Sequence, residues 1–246
     1  MQFSIITVSL DAEDTIAHCI ESVMGQSVQT EHIIIDGRSS DKTLDIVNRY
    51  TTHLAKVISE PDQGLYDAMN KGLKQATGEI IGLLNADDFY PTGEVLSRVL
   101  QAFEDPSIYA CYGDLVYVDR IEINRVIRYW RAGLPDPGKF YHGWMPPHPA
   151  FFVRRSLYEQ YGLFRTELGT AADYELMLRL LLKHKIKAAY IPETLVHMRT
   201  GGVSNMNLAN RILANRMDRK AWEVNNLTPY PWTMIAKPVR KLGQWL

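Results

Sequence analysis

Leu83-Leu84-Asn85-Ala86-Asp87-Asp88 ends an apolar run that starts near Glu79 and passes directly into two adjacent carboxylates. Acids at the end of a strand, on the rim of a sheet, can hold a hard divalent cation against a diphosphate. The competing reading is a helix cap, because an Asp after a strand often starts the next helix. The neighbouring segments repeat the pattern. Phe3–Ser9 is apolar and β-branched, and Asp11 follows shortly after it. His32–Ile35 reads as a buried strand ending at Asp36-Gly37, and Lys56–Ser59 as a strand followed by Asp62. Between them lie amphipathic stretches with helical spacing. Thr15–Met24 is closed by Gly25, and Ser40 or Asp41 can cap a helix through Leu44, Ile46, Val47 and Tyr50. Leu65–Ala76 and Glu94–Phe103 complete the set. Strands spaced by helices imply βαβ units and a mostly parallel sheet covered on both faces. In such sheets ligands bind beyond the carboxyl ends of the strands, where these acids fall.

The second half changes character. Tyr109–Tyr129 reads as two strands joined near Asp119–Glu122, an antiparallel addition. Residues 131–149 are rich in Gly, Pro and aromatics, and a long irregular stretch of this kind usually binds something or moves. Asp173–His184 is an amphipathic helix, Lys187–Ile191 and Leu195–Met198 read as two short strands, and a helix runs from about Met206 to Trp222.

Composition sets outer bounds. The chain has 246 residues, 46% of them hydrophobic, enough for a full core. A net charge of −1 supplies no global field that would draw it to nucleic acid. Cys19 and Cys111 lie in apolar runs without metal or redox spacing, which suits buried thiols in a reducing compartment. The start lacks a signal-peptide pattern and no stretch reaches the length of a membrane span, so a cytoplasmic protein is expected. No Gly-x-Gly-x-x-Gly or Walker sequence follows the first strand, so a diphosphate would be neutralised by metal rather than by a glycine-rich cradle.

As a set, five segments resemble the family 2 glycosyltransferases of the GT-A fold. They are Ile5–Ser9, Ser22–Gln26, Ile33–Thr43, the run Glu60-Pro-Asp-Gln-Gly-Leu-Tyr-Asp-Ala-Met-Asn-Lys-Gly72, and Leu84–Asp88. The nearest resemblance is to bacterial enzymes of exopolysaccharide, capsule and O-antigen assembly. It implies a Rossmann-like, mostly parallel sheet flanked by helices, with an antiparallel addition in the C-terminal half. It also implies inverting transfer from a nucleotide-sugar, usually a UDP-sugar, with Mn²⁺ or Mg²⁺. By the same resemblance Asp36 reads the uracil, and Thr7 and Ser9 line the nucleoside. Asp62, Asn70, Asn85 and Arg199 join the donor site. Asn85-Ala86-Asp87 matches an Asp-x-Asp motif with Asn in first place. Asp87 is then the expected metal ligand, with Asp88 and His197 as further ligands.

Inversion needs one general base, and Asp173, in Ala172-Asp173 where the family often has Glu-Asp, is expected to supply it. Its structural alternative is an N-cap of the helix that follows. His148 and Asp114 are placed on the acceptor side. The expected organisation is a GT-A domain over residues 1–225, with a nucleotide-sugar half (1–105) and an acceptor and catalytic half (106–225). A tail over 226–246 mixes Trp232, Met234, Ile235, Trp245 and Leu246 with Lys237, Arg240 and Lys241, which suits peripheral membrane contact. The expected acceptor is a glycan or a polyprenyl-diphosphate-linked sugar, with no nucleic-acid partner. A sugar nucleotidyltransferase or a non-catalytic nucleotide-sugar-binding protein are the competing functions. The first would normally carry a Gly-rich basic loop after strand one, where Ser9-Leu10-Asp11-Ala12 stands instead.

Overall fold

The computed structural model describes residues 2–201 and 208–242. The first half alternates as its periodicity predicts: β1 (Phe3–Ser9), α1 (Ile16–Met24), β2 (Thr30–Asp36), α2 (Thr43–Val47), β3 (Lys56–Ser59), α3 (Leu65–Gln75) and β4 (Ile80–Asn85). Then come a two-residue β5 (Asp88–Phe89), α4 (Val95–Ala102), β6 (Ala110–Val118), β7 (Val126–Trp130), β8 (Phe151–Arg154) and α5 (Arg155–Tyr161). The last elements are α6 (Ala172–Met177), β9 (Ala188–Arg199), α7 (Leu208–Glu223) and α8 (Thr233–Leu242). Among the described residues the strands form one sheet in the order β3-β2-β1-β4-β8-β6-β9-β5, with β7 paired to β6. The β1, β2, β3 and β4 ladders are parallel, as is β6 with β9, while β8, β5 and β7 pair antiparallel.

Both faces of the sheet are covered. Ile6 and Val8 of β1 face α3, in a core with Ile33, Ile35, Met69 and Leu73. Phe3 and Ile5 point the other way, to Cys19, Val23 and Val99 on α1 and α4. Helix α3 sits very close to the sheet, because a Cβ on Gly72 would lie 2.3 Å from Ile6 Cγ2. Both cysteines are buried free thiols.

Two local readings differ from the sequence expectation. The two short strands expected there form one, β9 (Ala188–Arg199). Its register against β6 slips beside Gly113 and Asp114, where Pro192 cannot donate to a ladder. The helix beginning at Ala172 passes into a π-helical turn at Leu178–Lys183. The acids at 87 and 88 do not cap a helix: Asp88 opens β5, which pairs with β9. The irregular stretch 131–149 is folded inward around Phe140 and Trp144, whose indole donates to the Ala132 carbonyl at 2.7 Å.

Candidate active site

Three adjacent strand ends build the first corner. Ser9, Asp36 and Ser59 are in register across β1, β2 and β3. The Asp36 carboxylate accepts from Ser9 Oγ (3.2 Å), Ser59 Oγ (2.7 Å), the Ser39 backbone N–H (3.0 Å) and the Ser39 hydroxyl. It is fully buried, so a nucleobase N–H reaching it must displace one serine hydroxyl. Gly37 leaves room for Asp62: a Cβ there would lie 2.5 Å from Asp62 Oδ2. Thr7 is not part of this corner. One pleat repeat deeper than Ser9, it is fully buried, with its hydroxyl 3.0 Å from His32 Nε2 and 3.8 Å from Cys19 Sγ.

The acidic tip forms the second corner. Asn85 Nδ2 donates to Asp88 Oδ2 at 3.0 Å, while Asn85 Oδ1 and Asp88 Oδ1 are buried without a hydrogen-bond partner. Burial, followed by the neighbouring Asp87 charge, holds the Asp88 carboxyl well above the usual range. Asp87 is half-buried, and among the described residues its carboxylate makes no hydrogen bond or ion pair.

Strand register then separates residues that were expected together. Asp88 pairs with Met198, Met198 with Tyr117 and Tyr117 with Arg128, so these four share a face. His197 pairs with Phe89, on the opposite face, and the two rings stack edge to face at 5.2 Å. Asp88 and His197 therefore cannot close on one ion. Among the described residues no cluster of three His, Cys, Asp or Glu side chains could hold a metal. Arg199 shares the His197 face. Its guanidinium lies over the Phe89 ring at 4.8 Å, donates to the Asp87 carbonyl at 2.7 Å, and meets His18 Nδ1 at 2.7 Å. With Arg120, Asp14, Thr15, Ile121 and Ile123 it lines a cavity of about 480 Å³.

The third corner surrounds Asp173, which lies in the first turn of α6 rather than at its cap. Its Oδ1 accepts from the Tyr174 N–H at 2.7 Å. The Tyr66 phenol of α3 feels the Asp173 charge. Burial first, then Asp173, holds that phenol well above its usual range. His148 Nε2 is buried without a partner, and burial lowers the imidazole while Asp173 opposes the shift. The His148 ring meets Phe164 at 5.8 Å and Tyr66 at 6.3 Å.

Asn70 and Asp114 do other work than expected. Both ends of the Asn70 amide bind the Phe164 backbone, at 2.9 and 3.0 Å, so it braces the Asp173 corner. Asp114 accepts from the Ala132 N–H and the Tyr190 hydroxyl, each at 2.8 Å, and ties the folded-in stretch to the sheet. Behind α6, buried Glu175 pairs with Arg179 (3.0 Å) and accepts from Asn225 (3.0 Å), and Tyr174 accepts from Trp222 Nε1 (3.0 Å). Lys237 of α8 lies 3.7 Å over the Tyr174 ring and pairs with Asp218 at 2.8 Å. The stretch from 226 is thus packed against the helix that carries Asp173.

Tyr117, with Arg128 stacked on its ring at 3.8 Å, joins the corners. Burial raises its phenol, and the charges of Asp88 and Asp173 push in the same direction. Tyr66, Tyr117, Arg128 and His18 were not singled out from sequence. Only Tyr66 left a trace there, one helical turn before Asn70 in a segment already marked.

A curled, mostly parallel sheet with acids at its strand ends and an antiparallel edge defines the GT-A type of α/β fold. The chain belongs to glycosyl transferase family 2, whose model matches residues 4–162. It is 30% identical over 210 residues to a PGL/p-HBAD biosynthesis glycosyltransferase of Mycobacterium bovis, covering 82% of this chain and 79% of that one. An uncharacterized glycosyltransferase of Mycobacterium tuberculosis is 31% identical over 185 residues, 73% of this chain and 68% of that one. Two solved structures share the fold at 18% identity. Staphylococcus aureus TarS 1-349 in complex with UDP-GlcNAc gives a TM-score of 0.65, over 88% of this chain and 65% of that fragment. The mannosyltransferase PcManGT of Pyrobaculum calidifontis, in complex with GDP-Man and Mn²⁺, gives 0.66, over 96% of this chain and 68% of that one.

Proposed function

We propose that the chain is an inverting glycosyltransferase that moves a monosaccharide from a UDP-sugar to a glycan or polyprenyl-diphosphate-linked acceptor in bacterial surface polysaccharide assembly. The observation that supports the reading is an uncommitted carboxylate, Asp87, beside Asp88, whose charge acts on Tyr117 together with that of Asp173. The donor's nucleoside lies at the Ser9, Asp36 and Asp62 corner. Asp36 accepts from the base once a serine hydroxyl turns away.

The residues fit a divalent metal of the hard type. Asp87 offers a free carboxylate, and the orphaned oxygens of Asn85 and Asp88 lie in the same short segment. Mg²⁺ and Mn²⁺ take oxygen ligands, and such ions are often held by one or two carboxylates plus substrate phosphates, so a cage of three side chains is not needed. Asp87 would hold the ion, which when bound neutralises charge on the leaving diphosphate. His197 is left out of the ligand set by its face of the sheet. Arg199, wedged between the Asp87 carbonyl and His18, supplies fixed positive charge beside the tip.

Asp173 takes the proton from the acceptor hydroxyl as it attacks the anomeric carbon, and His148 Nε2, buried and unpartnered, is available to that acceptor. The exposed side chains of Trp232, just before α8, and of Ile235 and Val239 on it, with Arg240 beside them, support peripheral contact with an anionic membrane. Among the described residues no helix is long and apolar enough to cross a membrane.

The test is a panel of UDP- and GDP-sugars with Mn²⁺, reading release of the nucleoside diphosphate. The expected result is turnover of a UDP-sugar that Asp173→Asn abolishes while UDP affinity is kept. Turnover unaffected by Asp173→Asn would overturn the assignment of the base.

A further inference from the structure

The loop that joins β3 to α3 has almost nothing apolar to hold it. From Ser59 to Leu65 every residue is exposed except Asp62, which is half-buried. A stretch with so few buried apolar contacts takes its order from polar partners. Its start is fixed to the sheet, where the Glu60 N–H donates to the Asp36 carbonyl at 3.0 Å. Its end turns through Gly64, at φ 113°, a region that residues with a side chain rarely adopt.

Between those points the clamps come from α3 itself. Asp67 and Lys71 stand one turn apart on the same face of the helix, with 3.6 Å between Oδ2 and Nζ. The Asp67 carboxylate accepts from the Gln63 N–H at 3.0 Å. The Lys71 ammonium donates to the Pro61 carbonyl at 2.6 Å and pairs with Glu60 at 3.1 Å. An ammonium carries three donors, so one side chain can serve Glu60, Pro61 and Asp67 together. The residues on either side of Asp62 are therefore both tied to α3. Asp62 Oδ1 accepts from the Gly64 N–H at 2.9 Å, and Oδ2 is the atom that a Cβ on Gly37 would meet at 2.5 Å.

We infer that Lys71 is a positioning residue for the donor: with Asp67 it fixes the 60–64 loop and so aims Asp62 at the nucleoside corner. This rests on the reading of Ser9, Asp36 and Asp62 as that corner. A loop ordered before the ligand arrives spares the ordering cost at binding, and the gain is the same in the ground and transition states. Lys71 therefore sets donor affinity and leaves the chemical step alone. The residue before it, Asn70, is bonded to the Phe164 backbone, so neighbouring side chains of α3 brace separate corners.

Lys71→Met tests this, since it keeps an unbranched stem and removes the ammonium, while Lys71→Arg keeps the charge. Measurements on the full chain separate the clamp from its use. Without ligand, amide hydrogen exchange at Gln63 and Gly64 should quicken about tenfold in Lys71→Met, while exchange in β1 and β2 stays as in the wild type. Unchanged exchange at both amides would overturn the clamp. In calorimetric titration with UDP, Lys71→Met should bind about tenfold more weakly, and Lys71→Arg within about twofold of the wild type. Wild-type affinity in Lys71→Met, or no recovery in Lys71→Arg, would overturn the positioning role. With Mn²⁺ and a UDP-sugar that the panel shows to turn over, the donor KM of Lys71→Met should rise about tenfold with kcat unchanged. A fall in kcat at unchanged KM would overturn the role as well. A wild-type chain that binds no UDP would sink the donor-corner reading, and the exchange result would still decide the clamp.

Discussion

Acid should destabilise this fold through one buried imidazole. His32 on β2 is fully buried between Thr7 and His53, and burial drives it from the ordinary 6.5 down to about 3. Folded, it stays neutral until the pH approaches about 3, whereas in the unfolded chain it takes up a proton near 6.5. Between those limits unfolding binds one extra proton, so stability falls as pH falls, by about 1.4 kcal/mol per pH unit. The contribution is complete above the 6.5 end of the window and is lost on descending through it. Between about pH 7 and about pH 5 the partial titration near the upper end reduces the loss to about 2 kcal/mol. That is a sizeable share of the roughly 5–15 kcal/mol that holds a domain together. His53, also lowered by burial, acts with the same sign. His32→Gln keeps polar groups for Thr7 and His53 but cannot titrate. Urea unfolding followed by circular dichroism at several pH values should show the variant losing about 2 kcal/mol less than the wild type over this interval. The absolute stability of the variant does not matter, because only the slopes are compared. Parallel pH dependences in the two proteins would refute the reasoning.

Asp87→Ala should cut Mn²⁺-dependent turnover at least about a hundredfold, with UDP affinity in the absence of metal unchanged; kinetics and calorimetric titration check both halves. Gly72→Ala should lower the melting temperature, because overpacking against Ile6 costs about 1–3 kcal/mol and the gain in helix propensity returns only about 1. Replacing Trp232, Ile235 and Val239 together by Ser should weaken sedimentation with anionic vesicles about tenfold or more, without altering the Asp173 corner. Sedimentation equal to the wild type's would rule out this face as the lipid contact.

The glycines and acids of the first half announced their places because their environment is local. Period-two and period-3.6 patterns made the βαβ order readable, and an acid after a parallel strand must emerge at the carboxyl edge. The placing of Ser9, Asp36 and Asp87 at or just beyond strand ends was legible for that reason. Thr7 was misplaced because sequence does not show how deep in the strand a ligand can reach, and α1 covers it with Cys19. Asn70 looked like a donor contact because it shares a segment with Asp62. The helical turn between them sends it toward Phe164 instead.

The amino-acid order alone determined the parallel sheet, the acidic strand ends and the family to which these motifs belong. What it could not determine was which side chains share a face. Asp88 and His197 were separated by a one-residue offset in the pairing of β5 with β9, two short segments far apart in the chain. The same ladders brought Tyr117 and Arg128 into the Asp88 row, and the packing of α3 brought the Tyr66 ring onto Phe164. Alternation along a strand is written in the sequence, but the register between strands is set by the whole folded core, and a shift of one residue reverses every face.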